Sequence, residues 1–327
     1  MTSKKNKSKM IKRNFITGDE WLYYKIYTGQ KTAEKILSEI IKPVSQELLN
    51  KKIIDKWFFI RYTDPEFHLR VRFHLPGQGI EHIIKLLRNN FEPYLEDLYI
   101  HSIQTDIYKR ELERYGSNTI EDAETLFYYD SVLVSEMSDM LEGDEGEEIR
   151  WKFAVKAVDK LFSDFGFKIT DKLSILEILK DNFGKEFGLN KSLKKQLDYK
   201  FSENRAILEN ILKEEGKDFE YLKPLFKLIN IKSLNTKKTI ENILTIKEKN
   251  MLEVHFNNLM SSYSHMLINR IFLVQPRLNE FVIYYLLHKY YNSEIARNNS
   301  MIKQKQAKNI KISQKYLNSH PKKQQIT

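Results

Sequence analysis

The stretch from Lys56 to Leu75 constrains this chain more than any other. KWFFIRY (56–62) and FHLRVRFHL (67–75) are both rich in aromatic and β-branched residues, and Thr63-Asp64-Pro65-Glu66 between them is turn chemistry. The pattern predicts a β-hairpin. Side chains alternate between the two faces of a strand. Phe67, Leu69, Val71 and Phe73 therefore share one face, and His68, Arg70, Arg72 and His74 share the other. The apolar face must pack on another layer. The opposite face carries two arginines that repel each other unless they meet water or anions, and a guanidinium suits bidentate contact with carboxylates. A half-exposed strand whose arginines pair with surface acids would carry the same pattern.

Residues 21–28 (WLYYKIYT) read as a strand ended by Gly29. Residues 31–49 place Ile36, Leu37, Ile40 and Ile41 at helical spacing, with Pro43 interrupting or kinking that helix. Residues 79–97 predict a second helix, and 98–107 a fourth strand. The order β-α-β-β-α-β is the ferredoxin-like arrangement. Beyond residue 118 amphipathic helical segments dominate, at 119–142, 146–165, 170–186, 190–214, 217–230, 236–247, 250–274 and 277–296. The expected class is α+β: a ferredoxin-like βαββαβ sheet region followed by a helix-rich C-terminal region that packs on it. The expected division is a basic disordered tail at 1–18 and a body at 19–298, with a second basic disordered tail at 299–327. Within the body, 19–118 bears the sheet and 119–298 is helical.

A formal charge of +10 invites a nucleic-acid reading, but its placement argues against one. Residues 1–13 hold six basic side chains and no acid, residues 303–327 hold seven lysines and no acid, and 14–302 are left at −3. Such tails are solubilising, with weak polyanion contact as the other reading. The RNA-binding aromatic signature is not evident, so direct tRNA binding is not expected. The chain has no Cys, which excludes disulfides, thiolate nucleophiles and Cys-ligated zinc. It also lacks a GxxxxGK phosphate loop, an HExxH helix and a GxSxG elbow. Neither a cofactor nor a metal is expected. No signal-peptide segment and no membrane-length apolar run occurs, so a cytoplasmic protein is expected.

Two further stretches carry candidate chemistry. In Tyr108–Gly116, a helical reading puts Glu111 and Arg114 on one face, three apart, with Arg110 and Arg114 four apart. A surface ion pair would look the same and contribute little. In Tyr263–Arg270, His265 and Asn269 lie four apart on an otherwise apolar helix. A lone His there is commonly a core residue; Asn269 and Arg270 beside it point instead to a polar pocket.

Taken in order, these residues resemble the C-terminal elimination domain of class I lantibiotic dehydratases, also known as free-standing proteins in thiopeptide clusters. The resemblance runs over most of residues 20–295. It includes Trp21–Tyr27, Trp57–Tyr62, His68–Phe73, Tyr108, Arg110-Glu111, Arg114-Tyr115-Gly116, Glu124, Asp130-Ser131, His265-Met266 and Asn269-Arg270. Ser117 departs from it, standing where the family usually has a second glycine.

The resemblance implies a lyase of ribosomal-peptide antibiotic (bacteriocin) biosynthesis. It would expel glutamate from glutamylated Ser or Thr of a precursor peptide, leaving dehydroalanine or dehydrobutyrine in a lanthipeptide or thiopeptide. It implies Arg70, Arg114 and His265 as catalytic residues. Arg72, Glu111, Arg61, His68, Asn269 and Arg270 are the expected substrate contacts. The larger members carry a preceding domain that takes glutamate from glutamyl-tRNA, and 327 residues leave no room for it. The expectation is therefore a split system with a separate glutamylating partner. The competing expectations are a pyridine-forming cycloaddition enzyme of thiopeptide biosynthesis and a non-catalytic leader-peptide-binding module.

Overall fold

The computed structural model describes residues 11–141 and 146–319. Strand β1 (Asn14–Phe15) is followed by β2 (Trp21–Thr28), and then by helix α1 (Gln30–Ile36) and helix α2 (Lys42–Asn50). The two helices run on through a π-helical turn at Leu37–Ile41. Pro43 sits in the first turn of α2, so its missing N–H falls where the hydrogen-bond ladder is already shifted, and the helix continues through it. Next come β3 (Lys56–Tyr62), β4 (His68–His74), α3 (Ile80–Glu96) and β5 (Ile100–Thr105). The four long strands form one antiparallel sheet in the order β3-β4-β2-β5. Both crossovers thus skip one strand, which is the ferredoxin-like topology the element order predicts.

The alternation holds in β4. Leu69, Val71 and Phe73 are fully buried, on the face they share with Trp57 and Phe59 of β3. The opposite face is not half-exposed along its whole length. His68 and Arg72 are buried there as well, because a second layer covers part of it.

That layer begins with β6 (Tyr108–Lys109), which pairs with β1, and the short helix α4 (Leu112–Tyr115). Phe15 is fully buried and stacks on Tyr108 at 5.8 Å. Residues 14–15 therefore belong to the folded body, and the expected disordered tail to residue 18 does not hold for them. Residues 1–10 and 320–327 lie outside the described residues, as does part of the turn expected at 143–148.

The helical region contains α5 (Ile120–Asp139), α6 (Gly146–Asp164), α7 (Ile169–Glu186), α8 (Lys191–Lys213), α9 (Gly216–Glu248), α10 (Phe256–Ile271) and α11 (Pro276–Ser319). The segments expected at 217–230 and 236–247 are one helix, α9, and α11 runs well past residue 298. No helix among the described residues is long and apolar enough to cross a membrane.

The chain divides into two compact units. One comprises residues up to Gly166 together with Ala206–Ile283, so the sheet shares a unit with α5, α6, α9 and α10. The other comprises Phe167–Arg205 and the chain from Tyr284 onward. Within this second unit Phe183 packs edge-on against Tyr284 at 5.6 Å, and Asp198 takes hydrogen bonds or ion pairs from Tyr285, Lys194 and Lys289 at 2.6–2.8 Å.

Polar contacts lock the first unit together. β3 is an edge strand, and its free backbone groups meet side chains rather than water. Phe59 N–H donates to Ser131 Oγ of α5 at 3.1 Å. Arg61 N–H donates to Asn269 Oδ1 of α10 at 3.0 Å, and Asn269 Nδ2 donates back to the Arg61 carbonyl at 3.0 Å. The Arg61 and Arg150 guanidiniums donate to the carbonyls of Arg270 and Ile271 at 3.2 and 2.8 Å, capping the C-terminal end of α10. Both also pair with Glu34 of α1. Burial pushes the Glu34 carboxyl up, but the two guanidiniums outweigh it and hold it at about 2.

A carboxyl held below its ordinary 4.5 adds stability that is fully present above that value and lost as pH falls from 4.5 towards about 2. Glu34→Gln should therefore lower the unfolding free energy at neutral pH by about 3 kcal/mol, and it should flatten the acid limb in urea titrations across that window. Asn269→Ala strips the partner from both the N–H and the C=O of the Arg61 backbone and should cost about 2–4 kcal/mol in the same assay.

Candidate functional site

The covered part of the sheet face encloses a cavity of about 50 Å³, room for a few waters or one small polar group. Its floor is Phe58 and Ile60 of β3 and Arg72 of β4; its roof is Phe127 of α5 and Met266 and Arg270 of α10. Tyr108, Glu111 and Tyr115 close one side. Met266 and Arg270 are four apart, so one helical face supplies both. Alternation in β3 puts Phe58 and Ile60 on this face and sends Arg61 to the other.

Two guanidiniums are buried in this wall, Arg72 at 8% and Arg270 at 0% exposure. Among the described residues neither forms an ion pair with a carboxylate. Arg72 is held by rings instead, with Tyr23, Tyr108 and Phe58 at 4.3, 5.0 and 5.2 Å from its guanidinium carbon. Arg270 donates to Ser131 Oγ at 3.2 Å and to the Met266 carbonyl at 2.6 Å, and lies 5.1 Å from the Phe127 ring. Each keeps one buried N–H without a partner, Nε of Arg72 and Nη2 of Arg270. Burial lowers the pKa of Arg72, and it brings that of Arg270 down to about 10 against the opposing pull of Asp130. Both remain cations at neutral pH. Burial also raises the Tyr108 and Tyr115 phenols, so both keep their protons. Tyr108 donates to Glu124 at 2.8 Å, and Glu124 is gripped by Arg110 through two 2.7 Å hydrogen bonds.

Glu111 also lines an open depression of about 410 Å³, together with Glu113, Arg114, Val254, Asn258 and Ser262. Arg114 lies 3.4 Å from Glu111, and both are largely in water. Ser117 donates twice to Glu253, from its backbone N–H and from Oγ, both at 2.6 Å. A glycine at this position could not make the second bond, so Ser117 ties the loop after α4 to the segment before α10.

The structure brings together Arg72, Arg270 and Glu111 at the cavity, with Arg114 at the adjoining depression. It sets other expected site residues apart. Arg61 is buried on the opposite face against Glu34, out of reach of the cavity, because of its parity along β3. Asn269 uses its whole amide on the β3 backbone. Arg70 and His68 lie on the cavity's face but outside its wall, with Arg70 Nε donating to His68 Nε2 at 3.0 Å. His265 is also outside the wall, partly exposed, with Nδ1 2.8 Å from Glu280 of α11. Sequence reasoning gave no site role to Phe58, Phe127 or Tyr115. Aromatic residues at core spacing give no sign of which will border a cavity.

The family model for the lantibiotic biosynthesis dehydratase C-terminal region matches residues 21–291. Subtilin biosynthesis protein SpaB of Bacillus subtilis is 25% identical over 178 residues, 54% of this chain and 17% of that protein. Nisin biosynthesis protein NisB of Lactococcus lactis subsp. lactis is 27% identical over 147 residues, 43% of this chain and 14% of that protein. The matches thus span less than a fifth of these relatives. The solved structure of the tRNA-dependent lantibiotic dehydratase MibB from Microbispora sp. 107891 superposes with a TM-score of 0.66 at 17% identity, over 87% of this chain and 29% of that one. The pyridine synthase TbtD, from thiomuracin biosynthesis, gives a TM-score of 0.59 at 10% identity, over 84% and 98%. At these identities the structural likenesses speak for the fold. The family match takes in the sheet, the cavity walls and both strands that carry arginines: this chain belongs to the lantibiotic biosynthesis dehydratase C-terminal family.

Proposed function

We propose that the chain is a lyase that eliminates glutamate from a glutamylated serine or threonine of a ribosomally made precursor peptide. One observation carries this reading: two buried arginines without carboxylate partners line one small, ring-walled cavity, and each keeps a buried N–H that nothing in the described residues satisfies. Such a site accepts an anion that the protein itself does not supply.

The elimination removes the Cα proton, breaks the Cβ–O bond, forms the Cα=Cβ double bond and releases glutamate as a carboxylate. Negative charge develops on the peptide carbonyl oxygen and then on the departing carboxylate. Arg72 and Arg270 are the donors for that charge, and preorganised donors in a largely buried wall act strongly. Arg114, at the outer depression, takes the free carboxylate of the glutamyl group, and Glu111 between the two spaces takes its ammonium. His265 is the proton carrier. A hydrogen bond from Nδ1 to Glu280 puts the ring proton there and leaves Nε2 to accept one. Tyr108 and Tyr115, kept protonated, contribute walls and donors rather than bases. The glutamyl ester comes from a separate glutamylating protein in this reading.

Incubating the protein alone with a Ser-glutamylated peptide should yield a product one water lighter than the unmodified peptide by mass spectrometry. An unchanged mass with the glutamylated peptide, together with ring formation from a peptide bearing two dehydroalanines, would establish the cycloaddition reading instead. Arg72→Gln should lower kcat about 10²–10³-fold while circular dichroism and thermal midpoint stay near wild type, since the loss is one of transition-state donors.

A further inference from the structure

The cavity occupies only one end of the sheet face that carries it. The ladders place Phe58 and Tyr23 on either side of Arg72, Ile60 and Lys25 on either side of Arg70, and Tyr62 and Tyr27 on either side of His68. The Arg72 row lies under α5 and α10. The Arg70 row is more open: Arg70, Lys25 and Tyr27 are half-buried, and Tyr62 is exposed.

Arg70 is held there with care. Its guanidinium carbon sits 3.4 Å above the Tyr62 ring. Its Nε donates to Nε2 of His68, whose Nδ1 donates to the Glu66 carbonyl at 2.8 Å. The His68 ring lies 4.6 Å from Tyr27 and 5.5 Å from Tyr62. The stacked ring and the histidine together fix the plane of the guanidinium. Among the described residues no hydrogen bond or ion pair involves its terminal nitrogens. Asp106, an acid close enough to act on Arg70, is paired with Lys25. The result is an oriented cation, open to solvent, with no anion of its own.

We propose that Arg70, seated on Tyr62 and His68, is a second carboxylate subsite. It reads an Asp or Glu side chain two residues away from the peptide residue whose side chain enters the cavity. The identity of the residue in the cavity rests on the elimination reading; the subsite itself does not.

The geometry of extended chains supplies the spacing. Arg70 and Arg72 are two apart on β4, so they face the same way about 7 Å apart. A peptide lying extended along β4 repeats its own same-face side chains at that interval. When one side chain enters the cavity beside Arg72, the side chain two positions away stands over Arg70, and the intervening one points away. Ile60 lines the cavity and is paired with Arg70, so the floor runs on from one subsite to the other. A simple carboxylate fits better than a second glutamyl ester. The ester would bring an ammonium group to a row already holding Arg70 and Lys25, whose acid is taken.

The test uses the full-length chain, its Arg70→Gln and Arg70→Lys variants, and peptides glutamylated at one serine. Glu or Gln is placed one or two residues away on either side. Two readouts run in parallel: kcat/KM for elimination by mass spectrometry, and fluorescence anisotropy with labelled peptides in which an amide replaces the ester and blocks the reaction. Wild type should favour Glu over Gln about tenfold at a two-residue offset and show no preference at one. Arg70→Gln should bring that ratio to about one, and Arg70→Lys should keep part of it. Equal use of Glu and Gln by wild type overturns the proposal. So does a preference that survives Arg70→Gln, or one equally strong at the one-residue offset. A two-residue preference in binding, without turnover of any peptide, would uphold the subsite and overturn the elimination reading.

Discussion

The outer edge of β3 is the constraint from which the rest of the site follows. An edge strand offers a row of unpaired N–H and C=O groups, which must meet water, another strand or side chains. Here Ser131 and Asn269 meet them. These bonds are directional, so they dock α5 and α10 in one register against the sheet. That register carries Arg270 and Met266 over the cavity, because both lie on the face of α10 next to the one that Asn269 anchors. On the other side of the strand, Arg61 and Arg150 cap the last carbonyls of α10 and share Glu34. The end of α10 is thus pinned by its side chain, by its backbone and by a buried ion network. A partly formed network would leave a buried charge unpaired, which is why such a cluster is costly to break.

The same side chain does opposite things in three places within this unit. Arg110 meets Glu124 through a buried two-bonded pair, and its charge is neutralised locally. It acts as a brace, holding the carboxylate that orients Tyr108. Arg72 and Arg270 are equally buried but rest on aromatic faces, carbonyls and a hydroxyl. Ring faces attract a cation without cancelling its charge for a ligand. Arg70 is a third case, stacked and oriented but half in water. Partner and burial, rather than residue type, separate a structural arginine from one available to bind.

The approach to the cavity has its own support. Glu111, the N-cap residue of the short helix α4, and Arg114 within it form an exposed pair that contributes little to stability and leaves both groups free to exchange partners. Gly116 follows with a φ of +74°, a conformation in which a side chain would be strained. Ser117 then ties the loop to Glu253. The serine that departs from the usual glycine thus adds a tether where the chain turns past the depression.

Much of the fold was legible in the sequence because it follows from local periodicity. Alternation in 56–62 and 67–75 specifies the hairpin and the face that carries Arg70 and Arg72, and the order of apolar segments specifies the ferredoxin-like sheet. The placement of Glu111 and Arg114 three apart at the start of a short helix is likewise a property of the chain itself. Periodicity does not say what will cover a polar face. Arg70 and Arg72 are equivalent in sequence, and only the tertiary layer that brings Tyr108 of β6 and the cavity roof over Arg72 buries one and leaves the other open. Arg61 and Asn269 read as candidate substrate contacts because polar residues near a site look alike in one dimension. Their use on a strand edge and a helix end, 208 residues apart in the chain, is decided by tertiary hydrogen bonds. The identity of the arginines was written in the sequence; their separation into ion-paired braces and guanidiniums without a carboxylate partner came from which other residues the fold brought beside them.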